Sequence, residues 1–284
     1  MKTLAKIFYL FLKFLNFFSK KFFKRDFVLY LKLLIEKNSY FEKKILEQTI
    51  TLFAPNELIK WRIDTLLTKE PETIEWINNF KDNKELVFWD IGANIGLYSI
   101  YAALRYKDIK IISFEPSTNN LRILSRNISI NQLDEKIFIN QLPLSDKEMG
   151  FNKLYESEFQ EGFSQNSFGE KINYEGKNLN SKNHYKILGA SIDYFLKNKL
   201  ISFPNYIKID VDGIEHLILR GGQKALKDDK LNSVLVEINE NYKDQYNEIL
   251  KIMGESNFRL KSKLREDRFY KGKFNKTFNY IFER

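Results

Sequence analysis

Asp90, Gly92, Asn94 and Gly96 alternate along residues 90–96, and Glu115 closes an apolar run at 109–114. Each residue type has a chemical use. Glycine permits left-handed or tightly turned backbone, so a ligand can lie against the main chain where a helix begins. A carboxylate at a strand end, here Glu115, can accept both hydrogen bonds of a ribose diol. Asp90 discriminates between ligands. A carboxylate beside the glycine turn repels a pyrophosphate but suits a ligand carrying an ammonium or a sulfonium. These five residues therefore read as a site for S-adenosylmethionine rather than NAD, with Asp90 facing its positive charge.

A second dense stretch runs from Tyr206 to Glu215. It reads as a buried strand ending at Asp210, a tight turn at Gly213, and a helix. In open α/β sheets ligands gather at the carboxyl ends of the strands, so Asp210 is expected to share a crevice with Asp90 and Glu115. Methyl transfer to a hydroxyl needs a positioned acceptor and a group to take its proton, and Asp210 is the candidate base. Lys208, two residues away on the same strand face, can steer an anionic substrate or hold that carboxylate. Glu215 is the third candidate on the acceptor side, and Glu237 ends the next strand. Asp210, Asp212, Glu215 and Glu237 can also supply oxygen ligands to Mg²⁺ or Ca²⁺. Against this, Asp212 and Glu215 have the spacing of a capping box and can simply start a helix. Ser145 and Asp146 follow the third strand, where they can reach an adenine amino group or cap a turn. His216 is expected on a solvent-facing helix surface.

These groups need a scaffold. Strands are expected at 86–90, 109–114, 136–141, 206–210, 233–238, 257–263 and 277–283, with helical patterns between most of them. That alternation predicts an α/β fold with a mainly parallel sheet covered on both faces, closed by an antiparallel pair. Residues 147–186 break the rhythm with a polar insertion, a hairpin with loops that can act as a lid or binding loop. Residues 38–84 read as a helical cap, with Pro71 starting a helix after Thr68 or Glu70. The domain proper is placed at 85–284.

The chain has 284 residues and no cysteine, which excludes disulfides, thiolate catalysis and cysteine-bound zinc. Two histidines exclude a multi-histidine metal centre. The abundance of Phe, Tyr, Lys, Asn and Ile resembles the coding of an AT-rich bacterial genome. Of the net charge of +9, residues 1–37 carry +7, from nine basic and two acidic side chains. A nucleic-acid binder would spread that charge over the body of the domain, so none is expected. Lys2, Lys6, Tyr9, Lys13, Asn16 and Lys20 form one helical stripe opposite Leu4, Ile7, Phe8, Phe11, Phe14, Leu15 and Phe18. This amphipathic extension is too short to span a bilayer. It suits peripheral contact with an anionic membrane through residues 1–25, or docking on the protein's own core or a partner. No signal-peptide cleavage pattern is evident, which points to the cytoplasm.

With both stretches in view, the chain resembles the FkbM-like family of S-adenosylmethionine-dependent methyltransferases over about residues 70–284. The matching segments are 90–96, 114–116, 144–146, 207–215 and 236–237. The first is shared by many class I methyltransferases; the stretch from Ile207 to Glu215 is far more specific. The family often has histidine where this chain has Ile214, so a mechanism that uses that histidine has no carrier here. The resemblance implies a Rossmann-like seven-stranded sheet and methylation of a hydroxyl, often on a sugar or secondary metabolite. The expected function is accordingly O-methylation of a sugar hydroxyl in glycan, surface-polysaccharide or secondary-metabolite biosynthesis. The competing readings are a nucleotide-dependent oxidoreductase and a non-catalytic membrane-associated protein on the same fold.

Overall fold

The computed structural model describes residues 1–81, 85–269 and 272–284. The expected boundary at residue 84 and part of the connection at 265–275 lie outside the described residues. Two helices come first, α1 (Lys2–Phe23) and α2 (Phe27–Lys37). A hairpin follows, β1 (Tyr40–Ile45) and β2 (Gln48–Phe53), then α3 (Glu57–Thr65) and α4 (Pro71–Asn78). The hairpin corrects the all-helical reading of residues 38–84. It buries Ile45, Ile50, Leu52 and Phe53, while its turn at Leu46 and Glu47 carries neither Gly nor Asn. Leu46 takes a φ of 53° without the residue types that signal such a turn.

From residue 86 the alternation is as expected. It runs β3 (Leu86–Ile91), α5 (Leu97–Arg105), β4 (Ile109–Phe114), α6 (Thr118–Ile130) and β5 (Ile137–Asn140). The polar insertion is more than a hairpin. It holds β6 (Met149–Glu156), β7 (Asn166–Phe168) and the start of β8 (Asn183–Ala190), paired antiparallel in the order β7-β6-β8. The chain then continues through α7 (Ile192–Lys197), β9 (Tyr206–Ile209), α8 (Glu215–Arg220), β10 (Ser233–Asn239), α9 (Lys243–Glu255), β11 (Arg259–Leu264) and β12 (Thr277–Glu283).

The main sheet has seven strands in the order β11-β12-β10-β9-β3-β4-β5. Strand β12 is antiparallel to both of its neighbours; the pairings from β10 through β5 are parallel. Strand β3 is buried along its whole length and feeds two cores by simple alternation. Leu86 and Phe88 pack with α3 to α6, and Val87, Trp89 and Ile91 pack with α7 to α9. Each such side chain contributes about 1.5–3 kcal/mol by leaving water. The register places Asp90 of β3 between Ser113 of β4 and Lys208 of β9. All three lie on one face, which puts a polar row beneath the glycine turn.

Candidate active site

A cavity of about 340 Å³ opens at the carboxyl ends of β3, β4, β9 and β10. Gly92, Asn94, Glu115, Asp210, Asp212 and Glu237 line it, under a roof of Phe163, Ser164 and Gln165 from the loop between β6 and β7. Trp61, Arg62, Tyr174, Phe269 and Phe274 contribute aromatic and basic surface. A side chamber of about 60 Å³ adjoins it, lined by Lys69, Glu70, Tyr98, Lys208 and Asp210 among others.

The glycine turn is built by necessity. Gly92 has a φ of 85°, and a Cβ there would stand 1.9 Å from the carbonyl oxygen of Asp210. Only glycine lets the end of β3 approach the end of β9 so closely. Gly96, at φ 84°, caps α5, and a Cβ there would meet Leu124 of α6 at 2.4 Å. Asn94, also left-handed at φ 52°, donates its backbone N–H to Glu115 Oε2 at 2.8 Å. Its Nδ2 donates to the carbonyl of Phe163, and its Oδ1 is buried with no protein partner. Glu115 Oε1 accepts from the Ser117 N–H at 2.9 Å. Burial pushes the Glu115 carboxyl up to about 8 despite those two N–H donors.

Asp90 is not placed as the sequence suggested. It is buried beneath the turn and is not among the residues lining either cavity. Its Oδ2 accepts from Ser99 Oγ at 2.6 Å, and Ser99 Oγ also contacts Ser113 Oγ at 2.7 Å. Burial raises its carboxyl while the nearby Lys208 ammonium lowers it. The charge that Asp90 faces is that lysine. The acids that line the crevice are Glu115, Asp210, Asp212 and Glu237.

Lys208 is 1% exposed and donates to Asp210 Oδ2 at 2.9 Å, with its Nζ 5.1 Å from the centre of the Tyr98 ring. Burial alone would discharge it, but Asp210, Asp90 and Glu70 outweigh that and hold it above the ordinary lysine value. Of the two roles open to Lys208, the geometry is that of holding the carboxylate. Glu70 stands just before α4 but makes no side-chain cap. It pairs with Lys69 and accepts from the Tyr98 hydroxyl at 2.8 Å.

Asp212 and Glu215 do not form a capping box. Ile214 precedes α8, and Glu215 is its first residue. Glu215 folds back to accept from the N–H groups of Val211 at 3.1 Å and Gly213 at 3.2 Å and from Gln245 Nε2 at 2.7 Å. It is 2% exposed and shapes the loop from inside, with burial raising its carboxyl to about 7. Asp212, at φ 62°, turns its carboxylate into the cavity and accepts from the Gln165 N–H of the roof at 2.6 Å. Burial, reinforced by the Asp210 charge, raises it.

Ser145 and Asp146 lie behind the cavity wall, which Pro143 and Leu144 form. Ser145 Oγ accepts from the Lys147 N–H, and Asp146 pairs with Arg220 at 3.4 Å and Lys147 at 3.5 Å. The adenine contact expected of them has no side-chain atom at the wall. His216 is buried rather than solvent-facing, near Gln245 and Tyr242. Of the four acids considered for a cation, Asp210 and Glu237 lie close together with Glu70, their carboxylate oxygens within 4.8 Å of one another. Lys69 and Lys208 already place two ammonium groups beside that trio. The sequence reading missed Lys69 and Tyr98 altogether and saw Glu70 only as a cap, because its proximity to Pro71 had a simpler explanation.

The cavity fits an adenosine-bearing cation. Glu115 offers a ribose acceptor, Asn94 Oδ1 is an acceptor awaiting a donor, and Asp210 and Asp212 make one wall anionic. The chain is 44% identical over 55 residues to the methyltransferase sdnD of Sordaria araneosa, a match covering 19% of this chain and 20% of that relative. The matched segment is thus about a fifth of that relative's length. Among solved structures it is similar to a Streptococcus mutans protein described as a SAM-dependent methyltransferase. There the TM-score is 0.50 at 12% identity, over 87% of this chain and 56% of the other. A second similar structure is the methyltransferase FkbM of Methylobacillus flagellatus KT. Its TM-score is 0.43 at 15% identity, over 81% of this chain and 55% of that one. The model of the methyltransferase FkbM domain matches residues 90–260, more than half of the sequence. The chain belongs to the FkbM methyltransferase family.

Proposed function

We propose that this protein transfers a methyl group from S-adenosylmethionine to a hydroxyl oxygen, with a sugar or glycan as the acceptor. One observation carries the reading: Asp210, at the cavity wall beside the glycine turn, is held from behind by the buried Lys208. When bound, S-adenosylmethionine supplies an electrophilic methyl carbon on a positively charged sulfur. Glu115 and Asn94 would hold the adenosine end, and Asp212 with Asp210 would face the cationic end. Asp210 accepts the acceptor hydroxyl's proton, and Lys208 fixes the carboxylate's orientation. The aromatic surface of Trp61, Tyr174, Phe269 and Phe274 supports a sugar, whose C–H face packs on such rings. A glycan or secondary metabolite built by bacterial biosynthetic enzymes is the natural source of such an acceptor.

The test is product formation with labelled S-adenosylmethionine and a panel of sugar nucleotides. Asp210→Ala should lower turnover by about 10²-fold or more while S-adenosylhomocysteine still binds. Full turnover by that variant removes Asp210 from the chemistry. Tight binding with no turnover on any acceptor of the panel would favour the non-catalytic reading.

A further inference from the structure

Helix α1 runs for 22 residues and buries none of them; α2 adds 11 more with none buried. The possibility that α1 docks on the protein's own core is thereby removed. The half-buried positions of α1 are Leu12, Asn16 and Ser19. Asn16 Oδ1 accepts from the Val28 N–H at 3.2 Å, Ser19 Oγ donates to the Arg25 carbonyl at 2.9 Å, and Lys20 pairs with Asp26 at 2.7 Å. These contacts fix α1 and α2 as a helical hairpin turned at Lys24, whose φ is 53°. What remains uncovered is a broad apolar face. Phe8, Phe11 and Phe14 are 60%, 55% and 59% exposed, and Leu29 and Leu33 of α2 extend the surface at 64% and 50%. Contiguous apolar surface beyond roughly a few hundred Å² marks an interaction site.

Charge decides the occupant. Residues 2–23 contain no carboxylate, and the segment 1–37 carries +7. A second copy would bring one +7 segment alongside another, which opposes self-association. No helix among the described residues is long and apolar enough to cross a membrane. A Phe-rich face opposite a stripe that carries four lysines and no acid is what an interfacial helix presents to acyl chains and lipid phosphates. We propose that the α1–α2 hairpin docks the protein on a bilayer surface rich in anionic phospholipid, with the aromatic face in the acyl boundary and Lys2, Lys6 and Lys13 at the phosphates. The base of the hairpin is fixed to the catalytic body. Glu36 of α2 accepts from Arg122 at 2.6 Å and Arg126 at 3.1 Å, and Arg122 also reaches Glu161 of the roof loop at 2.9 Å. Docking would thus hold the body, not a loose tail, at the surface. The proposal stands independently of the acceptor.

Flotation of the full chain with vesicles tests it. One set is phosphatidylcholine alone; the other carries three parts phosphatidylcholine to one part phosphatidylglycerol. The chain should float with the anionic set, and high salt or the triple change Lys2→Glu, Lys6→Glu, Lys13→Glu should lower the bound fraction by about tenfold or more. The triple change Phe8→Ser, Phe11→Ser, Phe14→Ser should abolish flotation. All three tryptophans, Trp61, Trp76 and Trp89, lie in the body, so unchanged tryptophan emission shows that the variants are folded. Failure of the folded wild type to float with anionic vesicles overturns the proposal. So does charge-reversed protein that floats like the wild type, or an oligomer formed without lipid and lost on changing the phenylalanines.

Discussion

Asp210 stands one residue past the end of β9, and Glu115 one residue past the end of β4. Both line the cavity. Asp90 stands one residue before the end of β3 and pairs in register with Lys208, so it is buried in the sheet instead. Two residues of depth separate a group that meets the ligand from one that supports the floor. Lys208 serves several acids at once, so removing it leaves buried carboxylates without a counter-charge. Lys208→Ala should cost about 3–5 kcal/mol in urea unfolding, more than deleting an exposed ion pair would. Glu115 gives a pH signature. Its carboxyl moves from an ordinary 4.5 to about 8 on folding, so the folded protein keeps a proton that the unfolded chain has lost. Its stabilising contribution is complete below 4.5 and is lost as pH rises to about 8. Ribose hydroxyls donate to the ionised carboxylate, so affinity for S-adenosylhomocysteine should rise over the same range. In Glu115→Gln that rise should flatten, and binding near pH 8 should weaken by about tenfold. Calorimetric titration at several pH values measures both.

At the scale of elements, strand ends carry the floor of the site and loops carry its roof. The roof loop is tied down at several points. Gly162 donates its N–H to Asn120 Oδ1 at 2.9 Å, Asn120 Nδ2 donates to the Phe163 carbonyl at 3.2 Å, and Asp212 holds Gln165. Asn120→Ala removes two of these ties. Hydrogen exchange at residues 162–165 should quicken while β3 and β4 keep their protection; an unchanged roof would show that the other ties suffice. Gly92→Ala should cost at least about 2 kcal/mol, since it adds both a steric overlap and a disfavoured φ. Strands β3, β4, β9 and β10 were legible because each is a largely apolar run bounded by a turn or an acid. The β1–β2 hairpin was not, because Leu46 and Glu47 make its turn without glycine or asparagine. Asp90 misled for a related reason: Leu86 to Asp90 and Tyr206 to Asp210 look alike as apolar runs ending in acids. Only the pairing between strands shows which acid protrudes. Long-range register also hid the Glu70–Tyr98–Lys208 cluster, whose members lie far apart in sequence.

Across the whole molecule, the strand ends of a Rossmann-like sheet carry the floor of the cavity. Trp61 of α3, before the sheet, and Phe269 of the β11–β12 connection meet at the cavity with ring centres 6.3 Å apart. The basic charge gathers on the helical hairpin, so the body is nearly neutral and the membrane proposal and the catalytic one can be tested separately. Thermal unfolding with S-adenosylhomocysteine, the product of the methyl donor, tests whether the cavity binds that cofactor. S-adenosylhomocysteine at about a hundred times its Kd should add about 2.7 kcal/mol and raise the Tm by several degrees. NADH should leave the Tm unchanged, and Glu115→Gln should lose most of the rise. A Tm raised by NADH and unmoved by S-adenosylhomocysteine would instead make the cavity a dinucleotide site.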